Sequence, residues 1–164
     1  MDIIGYKKTI HQPLRQATLL FLVKGKKVLL AMKKRGFGKD RWNGVGGKLN
    51  PNEKIEEAAV RETQEEIGVI PLDIEKRAVL NFYFPHNPVW NQQVIIYLAK
   101  NWIGKPMESE EMKPRWFNKN DLPFELMWPD DKHWLPKVLE GSNINAEFLF
   151  GENDTLLNFN VAEI

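Results

Sequence analysis

The chain has 164 residues, with 23 basic against 22 acidic side chains, a net charge of +1 and no cysteine. That length suits one domain with one sizeable core, and the charge balance lacks the basic excess that polymeric nucleic acid demands. No disulfide can form, which fits a reducing compartment, and no apolar run reaches the roughly 18 residues of a membrane span.

The N-terminal stretch MDIIGYKKTIHQPLRQ lacks the apolar segment of a secretory signal, so a cytoplasmic protein is the expectation. Its mildly basic character leaves an organellar address open. It reads as an extension over residues 1–16, ahead of a single domain over 17–164. Ala17–Val23 and Lys27–Met32 are short apolar, β-rich runs, and Lys24-Gly25-Lys26 between them predicts a hairpin. A loop rich in glycine and lysine follows without a steady period. A helix is then expected from about Asn52 to Ile67, stopped by Gly68. Ala78–Phe84 and Gln93–Asn101 predict strands, divided by Pro85-His86-Asn87-Pro88, and Arg115–Phe117 a further short one. Between Asn120 and Glu140 prolines alternate with apolar residues, which predicts a short helix and a longer one from near Pro129. AEFLF and TLLNFN flank Gly151-Glu152-Asn153-Asp154 and predict a second hairpin. Strands on both sides of a central helix, joined by hairpins, argue for a mixed-sheet α/β sandwich and against a doubly wound fold.

The helix carries the chemistry. Glu62, Glu65 and Glu66 stand at i, i+3 and i+4, on one face and roughly 5–6 Å apart by Cβ. They continue the stripe that Ile55, Ala58 and Ala59 occupy two turns earlier, while Lys54, Glu57 and Gln64 take the outer side. An inward carboxylate trio is costly to desolvate without cations. Arg61 can pair with one member, and a hard, oxygen-preferring divalent cation suits the others. In the preceding loop, Gly44, Gly46 and Gly47 allow close backbone approach to a ligand. Lys33, Lys34, Arg35, Lys39, Arg41 and Lys48 supply charge for a polyphosphate. Loop and helix together suggest phosphoryl chemistry on a metal-bound substrate.

The spacing of Gly47, Glu53, Arg61-Glu62, Glu65-Glu66 and Gly68 resembles the Nudix box, departing from it at Thr63, where the family usually has an aliphatic residue. Further stretches, MKKRGFG, RWNGVGGK, ESEEMKPRWF and LPFELMWPDD, resemble the MutT-homologue branch of that family, across roughly Ala17 to Phe159. The resemblance implies an α/β/α sandwich with a mixed central sheet and a catalytic helix after a glycine-rich loop. It implies Mg²⁺, with Mn²⁺ as an alternative, surrounded by the Gly46 carbonyl, Glu62, Glu65, Glu66 and Glu111, with Arg61 orienting a carboxylate. Substrate would be met by Thr18, Lys33, Asn43, Val45, Gly46, Gly47, Lys48, Phe82, Trp128, Pro129, Asp130, Asp131 and Trp134. The Pro85–Gln93 stretch is about one residue longer than in that branch, which leaves open what closes the pocket there, and the first fifteen residues have no counterpart.

The residue types agree with a purine site. Trp128 offers a flat surface for stacking, worth roughly 1–3 kcal/mol per base. Asn43 can donate and accept at once. Asp130 and Asp131, being adjacent, raise each other's proton affinity, so that one can donate to a carbonyl oxygen while the other accepts from a ring N–H. The expected reaction is hydrolysis of an oxidised purine nucleoside triphosphate, of the 8-oxo-dGTP or 2-oxo-dATP type, to monophosphate and pyrophosphate. One of Glu62, Glu65 and Glu66 would take the water's proton. The expected partner is a small nucleotide, with no polymeric nucleic acid and no membrane, and the protein is expected to be a monomer. Alternatives are a Nudix enzyme for unmodified dNTPs or dinucleoside polyphosphates, and a nucleotide-binding regulator without turnover, which the complete acid set disfavours. Trp116-Phe117, Phe148 and Phe150 read as core, Phe82 and Phe84 as core or pocket wall. His11, His86 and His133 show no ligand spacing, and Trp90 and Trp102 receive no role.

Overall fold

The computed structural model describes residues 2–164. A short helix, α1 (Ile3–Lys7), precedes the expected hairpin of β1 (Arg15–Lys24) and β2 (Lys27–Lys33). β3 (Trp42–Asn43) and α2 (Ile55–Ile67) follow, then β4 (Ile70–Leu72), β5 (Glu75–Tyr83), β6 (Gln92–Ala99), β7 (Asn101–Ile103) and β8 (Met112–Asn118). α3 (Asp131–Leu139) and the hairpin of β9 (Ile144–Phe150) and β10 (Leu156–Glu163) complete the chain. The pairs β1–β2, β5–β6 and β9–β10 run antiparallel between strands consecutive in the chain, but β1–β6 and β5–β9 are parallel, so the eight-stranded sheet is mixed. Among the described residues no helix is long and apolar enough to cross a membrane.

Period-two alternation along β1 explains the layers. Phe21 and Val23 enter a core with Leu80, Ile96, Phe148 and the α3 residues Trp134, Leu135 and Val138. Leu20 and Leu22 enter a second core on the other face, with Ala59 and Ile67 of α2. Farther along that second face, α1 seats Ile3 and Tyr6 on Tyr83 and Leu149. The result is an α/β/α sandwich around a mixed sheet.

Most elements coincide with the sequence reading to within two or three residues. α2 begins at Ile55, later than expected, because Asn50–Glu53 forms a turn: the Asn50 N–H donates to the Glu53 side chain at 2.8 Å, and Asn52 has φ 64°. Its end is as expected. Gly68 adopts the left-handed conformation (φ 72°) that closes a helix at little cost to glycine. α1, β3, β4 and β7 were not anticipated; each is five residues or fewer, too short for a period to show.

Candidate active site

β1 and β2 pair only at Val23–Val28 and Lys24–Lys27 before they diverge. The glycine-rich loop fills the gap. Leu20 and Val45 exchange backbone hydrogen bonds at 2.7 and 2.9 Å, and the Thr18 N–H donates to the Gly47 carbonyl at 2.9 Å. Nothing larger than hydrogen fits there. A Cβ on Gly46 would lie 1.8 Å from the Thr18 carbonyl oxygen, and one on Gly47 would lie 2.8 Å from the Glu62 carboxylate. The same loop therefore touches the strand that floors one pocket wall and the acid-bearing face of α2.

Arg61 joins that loop to the helix. Its Nε and NH2 donate to the two Glu53 oxygens at 2.7 and 3.0 Å, a bidentate pair. NH1 donates to Glu62 at 2.9 Å and Glu65 at 3.1 Å, and NH2 also to the Lys48 carbonyl at 3.0 Å. Glu53, in front of this guanidinium, has its pKa lowered. Arg61 itself is held protonated more firmly than usual by Glu53.

The three glutamates do not share one environment. The buried stripe of α2 runs through Ala58, Ala59, Thr63, Glu66 and Ile67. At 100° per residue that places Glu62 within it, between Ala58 and Glu66, and Glu65 just beyond its Ala58 edge. Glu66 is only 7% exposed, whereas the Glu65 side chain is 58% exposed and turned to Arg61. The expectation of three inward acids is thus corrected to two, Glu66 buried and Glu62 largely so, with Glu65 turned to solvent. Burial, then the charge and contact of Glu62, then Glu111, push the Glu66 carboxyl up to about 8, opposed by Lys33. Glu66 Oε2 is buried without a hydrogen-bond partner. Glu111 is exposed and accepts from Arg35 at 3.1 Å. Among the described residues, no three acids or histidines stand gathered as a preformed cation cage. The orphaned oxygen of Glu66, with Glu62 and Glu111 near it, nevertheless fits a hard divalent cation, which would occupy the place that a proton otherwise claims. Thr63, the departure from the box, is fully buried and its hydroxyl donates to the Ala59 carbonyl at 2.7 Å, so the polar group is satisfied within the helix.

A pocket opens on the α3 side of the sheet. Thr18, Lys33, Asn43, Gly46, Gly47, Phe82, Trp128, Asp130, Asp131 and Trp134 all line it. Lys33 and Gly47 are common to the pocket and the acid cluster, so the two are contiguous. Three residues expected at substrate stand apart from this lining. Val45 is buried in the α2-side core, the Lys48 side chain lies in solvent, and Pro129 is half-buried beside Trp128. Phe37, Arg41, Gln92 and Phe150 line the pocket without having been singled out for it, and Phe84, read as core or pocket wall, lines it as well.

Trp128 is not the bare surface expected of it. The Arg41 guanidinium lies 4.1 Å from its ring centroid, held there by Asp154 at 2.9 Å, and Phe37 stands 5.0 Å away. Asn43 spends its Oδ1 on the Gly44 N–H at 2.8 Å, leaving its NH₂ for a ligand. Asp130 and Asp131 are both 2% exposed. Asp130 accepts from Trp134 Nε1 at 2.8 Å, which explains why Trp134 is fully buried. Burial raises the Asp130 carboxyl to about 6, and burial plus the Asp130 charge raises Asp131 well above the carboxylate range. Two adjacent buried carboxyls oppose each other's ionisation, so the pair titrates as a unit and favours retaining a proton. Asp131 Oδ2 and Thr18 Oγ1 are buried with no partner. Buried polar atoms of this kind are rare in proteins unless a ligand or water completes them.

Comparison with known proteins agrees with this arrangement. The NUDIX domain model matches residues 13–138. The oxidized purine nucleoside triphosphate hydrolase of Mus musculus is 41% identical over 150 residues, covering 92% of this chain and 96% of the relative. Its Danio rerio counterpart is 40% identical over 147 residues, covering 90% and 94%. Among solved structures, a MutT protein from Bacillus halodurans superposes with a TM-score of 0.78 at 26% identity, covering 90% of this chain and 97% of that one. A match over most of the length, on top of the loop, helix and pocket described above, shows that the chain belongs to the Nudix hydrolase family.

Proposed function

We propose that this protein hydrolyses oxidised purine nucleoside triphosphates to the monophosphate and pyrophosphate, using Mg²⁺, and so removes damaged nucleotides from the precursor pool. The relatives named as oxidized purine nucleoside triphosphate hydrolases support the substrate class. The observation that carries it is the buried Asp130–Asp131 pair, with Asp131 Oδ2 unpartnered, facing the same pocket as the Asn43 side chain. The member of the pair that holds a proton donates to an exocyclic oxygen, and the other accepts from the ring N–H that an oxidised purine gains. A normal purine lacks one of these groups and leaves a buried polar atom unpaired, an omission able to cost roughly 10⁴–10⁵ in selectivity.

Nudix hydrolases generally use divalent metal ions. Glu62, Glu66 and Glu111, with the Gly46 carbonyl and Glu65, would hold Mg²⁺ or Mn²⁺, which when bound neutralises phosphoryl charge and acidifies water. Lys33, at the junction of pocket and acid cluster, pairs with a phosphoryl oxygen. A glutamate of the cluster accepts the proton of the attacking water as the bond between the α- and β-phosphates breaks and pyrophosphate leaves. Arg61 keeps Glu62 oriented for this work through its ties to Glu53 and Lys48.

The test is a nucleotide panel with Mg²⁺, reading rate and product. Oxidised purine triphosphates should be turned over faster than dGTP and dATP, with pyrophosphate released in step. Asp130→Asn should change the ratio between oxidised and normal substrates more than it changes the Mg²⁺ requirement. Equal rates across the panel, or equal losses on every substrate in the variant, would count against the reading.

A further inference from the structure

One wall of the pocket is aromatic and continuous. Phe84 stacks on Phe150 at 5.3 Å and 11°, meets Trp90 edge-on at 5.7 Å, and Trp90 stands 5.0 Å from Phe37. Phe37, Phe84 and Phe150 all line the pocket. Phe84 and Trp90 belong to the end of β5 and the turn that leads to β6, a stretch stitched by Asn87 N–H to the Phe84 carbonyl and Trp90 N–H to the Asn87 carbonyl, both at 2.9 Å. At its far end Asn91 reaches back, its Oδ1 accepting from the Phe84 N–H at 2.6 Å. Phe84 is the last wall residue before the turn, and Gln92, directly after Asn91, also lines the pocket.

The other half of the Asn91 amide is taken by the N-terminal helix. Asn91 Nδ2 donates to the Tyr6 hydroxyl at 2.9 Å. Tyr6 is 6% exposed, set edge-on to Tyr83 at 5.9 Å. α1 is itself anchored on the sheet. The Ile3 N–H donates to Asn158 Oδ1 at 3.3 Å, and Lys7 pairs at 2.8 Å with Glu147, which also accepts from the Tyr83 hydroxyl at 3.1 Å. A chain of two hydrogen bonds thus runs from an element fixed on the back of the sheet, through one amide, to the main chain that carries the wall.

We propose that Tyr6 is a positioning residue for the base pocket: through Asn91 its hydroxyl fixes the main chain at Phe84, and with it the aromatic wall against which the base is read. This rests on the pocket being the base site. The amide of Asn91 needs both partners. Without the Tyr6 hydroxyl its plane is free to rotate, the Phe84 N–H loses its defined acceptor, and the Phe84–Trp90 edge spreads. Substrate then binds a wall that must be ordered first, a cost paid in affinity rather than in the chemical step.

Tyr6→Phe, which keeps the ring on Tyr83, and Asn91→Ala, alone and combined, test this with 8-oxo-dGTP and, as a small-base probe, dCTP. Tyr6→Phe should raise KM for 8-oxo-dGTP about 5-fold, the size of one lost neutral hydrogen bond, and leave kcat within about 2-fold. Both constants for dCTP should stay near wild type, and the double variant should be no worse than Asn91→Ala, because the two residues act in series. An unchanged KM in Tyr6→Phe overturns the proposal. So do additive effects of the two substitutions, or a fall in kcat on both substrates that follows a lowered melting midpoint, the pattern of a merely structural residue. Should the wild-type protein treat 8-oxo-dGTP and dCTP alike, the base-pocket reading falls and the positioning role with it, whereas discrimination by wild type with no change in Tyr6→Phe removes only the latter.

Discussion

Glu66 shows most plainly what the acid cluster is built to do. Its carboxyl is buried, has one oxygen without a partner, and is raised to about 8 by burial and by Glu62. Because the folded pKa lies above that of an ordinary glutamate, the stability that this group contributes is fully present below the unfolded value and is lost as pH rises through the folded one. Metal-free protein should therefore lose stability between about pH 5 and 8 as Glu66 ionises. Mg²⁺, by binding the ionised form, should raise the melting midpoint more at the alkaline end. Glu66→Gln should flatten the pH dependence, remove most of the Mg²⁺ effect and cut turnover by orders of magnitude. Melting curves with and without Mg²⁺ check this; a variant that melts, responds to Mg²⁺ and turns over like wild type would remove Glu66 from the site.

At the scale of elements, the site exists because a loop replaces a strand. β2 leaves β1 after two paired residues, and Val45–Lys48 takes the vacated edge, its backbone pressed between β1 and α2. Arg61 then ties loop and helix through Glu53, Glu62 and the Lys48 carbonyl. Gly47 is the tightest point of that arrangement on the helix side. Gly47→Ala puts a methyl 2.8 Å from the Glu62 carboxylate, which must move. Displacing a catalytic group by about 1 Å can cost roughly 10²-fold, so kcat should fall by about that factor in a protein that still folds. Circular dichroism beside steady-state kinetics separates the two effects, and wild-type kcat would show that Glu62 has no demanding position to keep.

For the whole molecule, legibility in the sequence followed length and period. The hairpins and α2 were readable because their apolar residues repeat at two or near 3.6 and because Gly25 and Gly68 mark their ends. α1 was not, since Ile3 and Tyr6 are its only buried residues, and two residues make no pattern. Ten of the expected substrate residues do surround the pocket, yet its character depends on residues that looked ordinary. Phe37 sits in a glycine-rich loop that has no period to place it. Arg41 reads as one more basic residue until Asp154, more than a hundred positions later, aims it at Trp128. Phe150 reads as core because it is core, and its outer edge is also pocket wall. Long-range placement of this kind leaves no local signature. The face of α2 was misjudged for a related reason. Periodicity fixes relative angles, and only packing against Leu20, Leu22 and Ile95 fixes which angle faces inward.

The central claim, a metal-bearing acid cluster contiguous with a purine pocket, is tested most directly by a crystal structure with Mn²⁺ and the product 8-oxo-dGMP. Anomalous scattering should place Mn²⁺ against Glu66 and Glu62, and the base should lie between Asn43 and the Asp130–Asp131 pair with its oxidised edge on the two acids. A base bound outside that pocket, or Mn²⁺ coordinated away from α2, would contradict it.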